Sequence, residues 1–373
     1  MTISFDPVAL LGELIRIPSS DPPGGELAVA ERLLAEMQRI GIPAELDQFQ
    51  PDRANLIGRI PGRGEKPPLV FSSHMDTVPA GDQPWDFDPL AGDLVDGFVR
   101  GRGASDMKSA PVAFLAASEL LQARDTPLAG DVILAFTAGE SADCLGARRL
   151  VEQGFQSEIG AFLCGEPSSL DLIVVEKAIL WLEAIATGEI GHVSGAPGVN
   201  AIQVMAEFLP RLNSFQVDAP PHPLLSPPTV NVGQIQGGTA MAVTPAHCRA
   251  TIDVRFGPGG DPDRVEAQIR ALAPERIQIN RLDFKAAVDE PPDSAFVKTC
   301  ARMTAAETGQ QPAIKGVSYY SDGAILLDGL DVPFAILGPG TLGMSGQLNE
   351  TIPAENVAIA ARIYARIAEE WLS

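Results

Sequence analysis

The sequence predicts an α/β protein: a mostly parallel sheet covered by helices, interrupted by an inserted α+β domain. Three observations carry this. Over residues 1–177, short, wholly apolar runs alternate with helix-length segments, the pattern of strands buried on both faces. Between residues 178 and 287 the order becomes strand, helix, strand, strand, helix, strand, a ferredoxin-like split unit. From 288 to 373 helices and a short apolar run return to the first domain. At 373 residues the chain is long enough for two such domains.

The elements follow in order. Asp6 and Pro7 open a helix with Leu10, Leu11, Leu14 and Ile15 on one face. A second helix spans residues 26–40, with Leu33, Leu34, Met37 and Ile40 as its stripe and Gly41 as its stop. Strands are predicted at 55–60, 69–73, 131–136 and 161–164, and helices at 107–122 and 145–153. In the insertion, strands at 179–187, 229–235, 247–256 and 277–284 alternate with helices at 200–215 and 261–273. Residues 218–228 (DAPPHPLLSPP) form a stiff spacer. A helix at 295–308, a strand at 333–337 and a helix at 355–371 complete the first domain.

Composition removes several classes of function. A net charge of −21 gains nothing from counterion release on nucleic acid and is repelled by anionic membrane. No charge-free stretch of eighteen apolar residues exists, since the best candidate, 172–186, contains Glu176, Lys177 and Glu183. The first residues carry an early Asp and no basic region, unlike a secretory signal. Cys144, Cys164, Cys248 and Cys300 show no C-x-x-C spacing, which reads as reduced thiols in a cytoplasmic protein. The expected partner is a small-molecule substrate.

Four clusters can carry chemistry. In LVFSSHMDTVP a buried strand ends, and His74 and Asp76 follow two apart, on one side of an extended segment. Asp106 lies between a glycine-rich turn and a helix start in GRGASDMKSA, where a carboxylate is well tolerated. Glu140 and Glu166 each stand just past a buried strand, in ILAFTAGES and FLCGEPSSL. Singly, each has a bland explanation: a satisfied histidine, a helix cap, a turn. Together, His74, Glu140 and Glu166 follow strand ends, which in an open parallel sheet share one edge. Acids gathered there repel one another without a cation. An imidazole with carboxylate oxygens suits zinc, with cobalt or manganese as alternatives. Asp76 then orients the second nitrogen of His74.

These motifs resemble the zinc amidohydrolase and exopeptidase family of acetylornithine deacetylase, succinyl-diaminopimelate desuccinylase, aminoacylase and carboxypeptidase G. The resemblance runs from LIRIPSSDPPGGE through SHMDTVP, GRGASDMK, FTAGES, GEPSSL, GHVSGAPGVNAI, TIDVRFGPGGDP and YSDGAIL to GPGTLGMSGQLNE. It implies that His74 and Glu166 bind one metal, that Asp106 bridges two, and that Asp76 supports His74. It implies further that Glu140 is the general base toward metal-bound water. The insertion would be a lid that makes a homodimer, with His192 reaching a partner's active site to steady the oxyanion. Arg255 would face a substrate carboxylate, with a structural ion pair as the alternative.

The departures from that family bear on the metal count. Ser141 stands where the family has a glutamate that binds the second metal, and Ser345 and Gly346 stand where it has an Ala-His pair. Both private ligands of the second metal are therefore replaced, and the lid has Ala242 where Asn is usual. Gly offers no donor and Ser is a poor zinc ligand. Asp143 is either a partial substitute for Ser141 or a helix cap. The resulting expectation is a hydrolase of an amide bond in a small N-acyl amino acid or related compound, with one ion per subunit. The alternative is a catalytically silent relative that binds a small molecule or a partner.

Overall fold

A computed structural model describes residues 3–196 and 198–373. The chain divides into two compact units, one of residues 3–174, Asp289–Lys315 and Ser321–Ser373, the other of Val175–Val288 and Gly316–Tyr320.

The first unit is built on a mixed sheet. Its centre is four parallel strands in the order Val132–Thr137, Leu69–His74, Ala161–Cys164, Phe334–Ile336. The first three are buried at every position, as parallel strands covered on both faces must be. Outside Val132–Thr137 lie Arg53–Ile60 and then Ala44–Gln50, both added antiparallel. Sequence periodicity missed Ala44–Gln50: it is an edge strand, AELDQFQ, without a continuous apolar side. It also missed the small sheet formed by Leu94–Val95, Phe98–Arg100 and Thr351–Pro353, whose strands are too short to show a period.

Helices form where the pattern indicates. Asp6 accepts hydrogen bonds from the Val8 and Ala9 amides, and Pro7 starts the helix Pro7–Arg16, which buries Leu10, Leu11, Leu14 and Ile15. The helix Ser109–Gln122 packs Phe114 on Phe71 of the central strand, ring centroids 4.9 Å apart, and on Tyr364 of the helix Ala354–Trp371 at 4.5 Å. The Tyr364 hydroxyl donates to the Leu337 carbonyl at 2.7 Å, so the buried phenol is satisfied.

The second unit has the β-α-β-β-α-β order. Its antiparallel sheet runs Thr229–Gly237, His247–Phe256, Ala178–Thr187, Ile277–Lys285, the ferredoxin-like arrangement. Leu180, Leu182, Ala184, Ala250, Ile252 and Val254 point to one face and pack against Met205, Phe208, Val265 and Ile269 of the two helices. Residues 316–320 also belong to this unit: the Ser318 carbonyl accepts from Arg255, and the Tyr320 ring meets Trp181 edge-on at 6.2 Å. No helix among the described residues is long and apolar enough to cross a membrane.

Candidate metal centre

The parallel strands deliver the site. His74 is the last residue of Leu69–His74 and pairs in register with Thr137, the last residue of Val132–Thr137. Glu140 follows three residues later. Glu166 stands two residues past Ala161–Cys164, whose Cys164 pairs with Ser72. Parallel register therefore places all three at one edge, as the sequence indicates.

His74 is the hub. Its Nε2 lies 3.1 Å from Asp106 Oδ1, 3.5 Å from Glu166 Oε1 and 3.9 Å from Glu140 Oε2. Its Nδ1 lies 3.0 Å from the Asp76 carbonyl and 3.5 Å from Asp76 Oδ1. Ligand atoms of His74, Glu140 and Glu166 all lie within 4.8 Å of one another. This triple contains Glu140 where the motifs lead one to expect Asp106; Asp106 enters the pocket through its short contact to His74.

The electrostatics are those of a pocket built for a cation. Burial alone would lower the His74 imidazole, but Asp76, Asp106 and Glu166 outweigh it and hold it well above its ordinary value. Burial pushes the Glu140 carboxyl well above the usual range, with Glu166, Asp322 and Asp76 adding and His74 opposing. Asp76 is depressed: burial would raise it, but His74 and Ser141 hold its charge. Buried acids with one imidazole among them suit a divalent ion on donor chemistry: one nitrogen and hard carboxylate oxygens within reach of a shared point.

A second set of acids lies behind Asp76. Asp21, Glu26 and Asp76 also bring ligand atoms within 4.8 Å. Here a cation is already built in. The Arg53 guanidinium donates to Asp21, to Glu26 Oε1 at 3.3 Å and to the Pro23 carbonyl at 2.8 Å.

Several of these residues lie outside the sequence-derived set. Arg53 and Glu26 were missed. The available signal was an arginine heading an apolar strand, since a buried charge demands an acid partner. Glu350 was missed too. Its carboxylate takes Arg102 Nη1 at 2.7 Å and the amides of Gly103, Ser105 and Asp106 at 3.2, 2.8 and 2.9 Å, fixing the turn that carries Asp106. Asp106 is therefore not a helix cap; the helix starts at Ser109, after Lys108. Asp322, in the YSDGAIL segment, accepts from the Thr137 hydroxyl, and burial pushes its carboxyl up to about 6. Gly338 and Gly340 press on the ligand turns. A Cβ at Gly338 would sit 2.2 Å from the Glu166 carbonyl oxygen, and one at Gly340 would sit 2.1 Å from that of Ser105.

Two expected residues belong to the second unit. His192 is exposed on the short strand Gly191–His192. Its Nδ1 lies 2.7 Å from the Ser194 hydroxyl oxygen and 3.3 Å from the Ser194 amide nitrogen. Arg255 donates through Nε at 3.0 Å and Nη2 at 2.9 Å to Asp253, and through Nη1 at 2.7 Å to the Ser318 carbonyl. Three of its five N–H groups are thereby engaged inside its own unit.

Fold and pocket together define a metallohydrolase of the two-domain kind. The comparisons make this specific: residues 70–370 match the profile of peptidase family M20/M25/M40, and the chain belongs to that family. It is 29% identical over 391 residues to a succinyl-diaminopimelate desuccinylase of Rhodospirillum centenum, covering 99% of this chain and 98% of the relative. It is 30% identical over 401 residues to a protein of the same name from Cereibacter sphaeroides strain ATCC 17025, covering 99% and 100%. Among solved structures, the M20 family metallo-carboxypeptidase Sso-CP2 from Sulfolobus solfataricus superposes with a TM-score of 0.80 at 17% identity, covering 98% of this chain and 99% of that one. The YXEP protein of Bacillus subtilis, described as a dinuclear metal-binding peptidase of the M20 family, gives 0.74 at 17%, covering 98% and 97%.

Proposed function

We propose that the protein hydrolyses the amide bond of a small N-acyl amino acid with one divalent ion per subunit, held by His74, Asp106 and Glu166. The observation that carries this is the gathering of three carboxylates around one imidazole nitrogen. Zinc fits the donor set best, with cobalt and manganese as alternatives. One ion rather than two is favoured because Ser141 and Gly346 replace the family's second-site ligands. Among the described residues, the groups able to share an ion are the His74 pocket and the set that holds Arg53, and Asp143 is in neither.

When bound, the ion supplies Lewis acidity at the scissile carbonyl and acidifies water. Glu140 takes a proton from the attacking water and delivers it to the leaving nitrogen as the C–N bond breaks. Asp76 fixes the orientation of His74 through Nδ1. His192 donates from Nε2 to the oxyanion of a partner copy, a contact of a kind worth roughly 2.7–4 kcal/mol. Homodimerisation would run through the second unit, whose edge strand Thr229–Gly237 is exposed along nearly its whole length, Val232 and Ile235 included. Arg255 retains two N–H groups for a substrate carboxylate. Four buried cysteines that form no disulfide fit a cytoplasmic setting.

The names of the relatives make N-succinyl amino acids the first substrates to assay, beside N-acetyl, N-carbamoyl and dipeptide compounds, each with zinc, manganese and cobalt. Turnover of one class, lost in Glu140→Ala with metal retained, is the expected result. Undiminished turnover in Glu140→Ala would overturn the assignment of the base. Absence of turnover on every class, with no bound metal, would favour a silent binding protein.

A further inference from the structure

The turn that carries Glu140 is held by Glu26, which lies outside the metal pocket, and by Asp76, which borders it at His74. Three consecutive amides are anchored there. Gly139 N–H donates to Glu26 Oε1 at 3.1 Å, Glu140 N–H to Asp76 Oδ1 at 3.1 Å, and Ser141 N–H to Asp76 Oδ2 at 2.9 Å. Glu26 is fully buried and its other oxygen accepts from the Gly25 amide at 2.9 Å. Burial pushes the Glu26 carboxyl above its ordinary value, and a facing cation opposes that rise and favours the charged form. Arg53, itself 7% exposed, is that cation. Its fork also lies against Gly139: a Cβ on that residue, at φ +69°, would sit 2.6 Å from Arg53 Nη1. On its other side, a Cβ at Gly24 would sit 2.5 Å from Arg53 Nε. The guanidinium is thus clamped between two glycines, one of which immediately precedes Glu140.

We propose that Arg53, acting through Glu26 and Gly139, is a positioning residue that sets where the Glu140 carboxylate stands. Arg53 touches no reacting atom. It fixes the 139–141 backbone, and the backbone fixes the carboxylate. The proposal rests on the reading of Glu140 as the proton-transfer group, and the test separates the two.

The test uses the full-length, metal-loaded protein as wild type, Arg53→Met, Arg53→Lys and Glu140→Ala. It measures kcat and KM on the substrate found in the screen above, bound metal, and amide exchange of residues 139–141 against the rest of the chain. In Arg53→Met, exchange at 139–141 rises about tenfold beyond any global change. Its kcat falls about 10²-fold, while KM stays within about twofold and metal content is unchanged. Arg53→Lys, which keeps the charge but loses the fork, recovers part of both effects, and it carries the test if Arg53→Met does not fold. Unchanged exchange at 139–141 in the folded variants overturns the proposal. So does faster exchange with wild-type turnover while Glu140→Ala is inactive. Wild-type turnover in Glu140→Ala overturns the assignment of the base instead, and the exchange data then still report on the anchoring by Arg53.

Discussion

Two clusters of buried acids meet at Asp76, and they resolve the same electrostatic problem in opposite ways. Asp21 and Glu26 share Arg53, a guanidinium with the right fork and an unchanging charge. Glu140, Glu166 and Asp106 gather around the imidazole of His74. The first cluster carries its cation within the chain; in the proposed reading the second takes its cation as a bound ion. Like charges in both regions therefore mark different things: a structural brace behind the turn, and a binding site in front of it.

The comparison can be broken by single substitutions, the largest effect coming first. Glu140→Ala is expected to lower turnover by about 10²–10⁴-fold without loss of metal, as seen in steady-state kinetics beside metal analysis. Arg53→Met is expected to destabilise the chelator-treated protein by about 3–5 kcal/mol, because two buried carboxylates lose their cation. Denaturant titration measures it, and a loss within error would mean that Arg53 is not the counter-ion of that cluster. Gly338→Ala should cost about 1–3 kcal/mol by forcing a methyl against the Glu166 backbone. The opposite sign is expected in front of the turn. Glu166→Gln should stabilise the chelator-treated protein by about 0.5–2 kcal/mol, since it removes one of the acids crowded around His74, and should abolish the gain in Tm on adding metal.

A third acid with its own cations serves as a control. Burial would raise Glu266, but Arg270 and Arg281 hold it below its ordinary value of 4.5. A depressed carboxylate contributes stability that is fully present above its unfolded value and is lost as pH falls through the folded one. Wild type should therefore lose about 1 kcal/mol more than Glu266→Gln when unfolding is followed from pH 7 down to the acid limb. Equal slopes would show that these partly exposed arginines contribute nothing.

Legibility in the sequence follows the physics of each element. Ala161–Cys164, His247–Phe256 and Ala295–Thr308 are bounded to the residue by their apolar patterns. Parallel strands buried on both faces read as plain apolar runs, so the residues at or just past their ends, His74, Glu140 and Glu166, are visible as site candidates. The edge strand Ala44–Gln50 is not visible, because half-exposed polar residues carry no period. Arg53, Glu26, Glu350 and Asp322 escape for another reason. Each is recognised by a partner distant in sequence: Arg53 and Glu26 are 27 positions apart, and Arg102 and Glu350 are 248 apart. Spacing along the chain cannot announce such pairs.

The central claim is that the His74 pocket needs an external cation whereas the Arg53 cluster does not. Metal analysis of the purified wild type, Glu166→Gln and Arg53→Lys tests it most directly. The account predicts one equivalent of a divalent transition metal in wild type and in Arg53→Lys, and none in Glu166→Gln. A folded wild type that binds no such ion, even when zinc, manganese or cobalt is supplied, would contradict it.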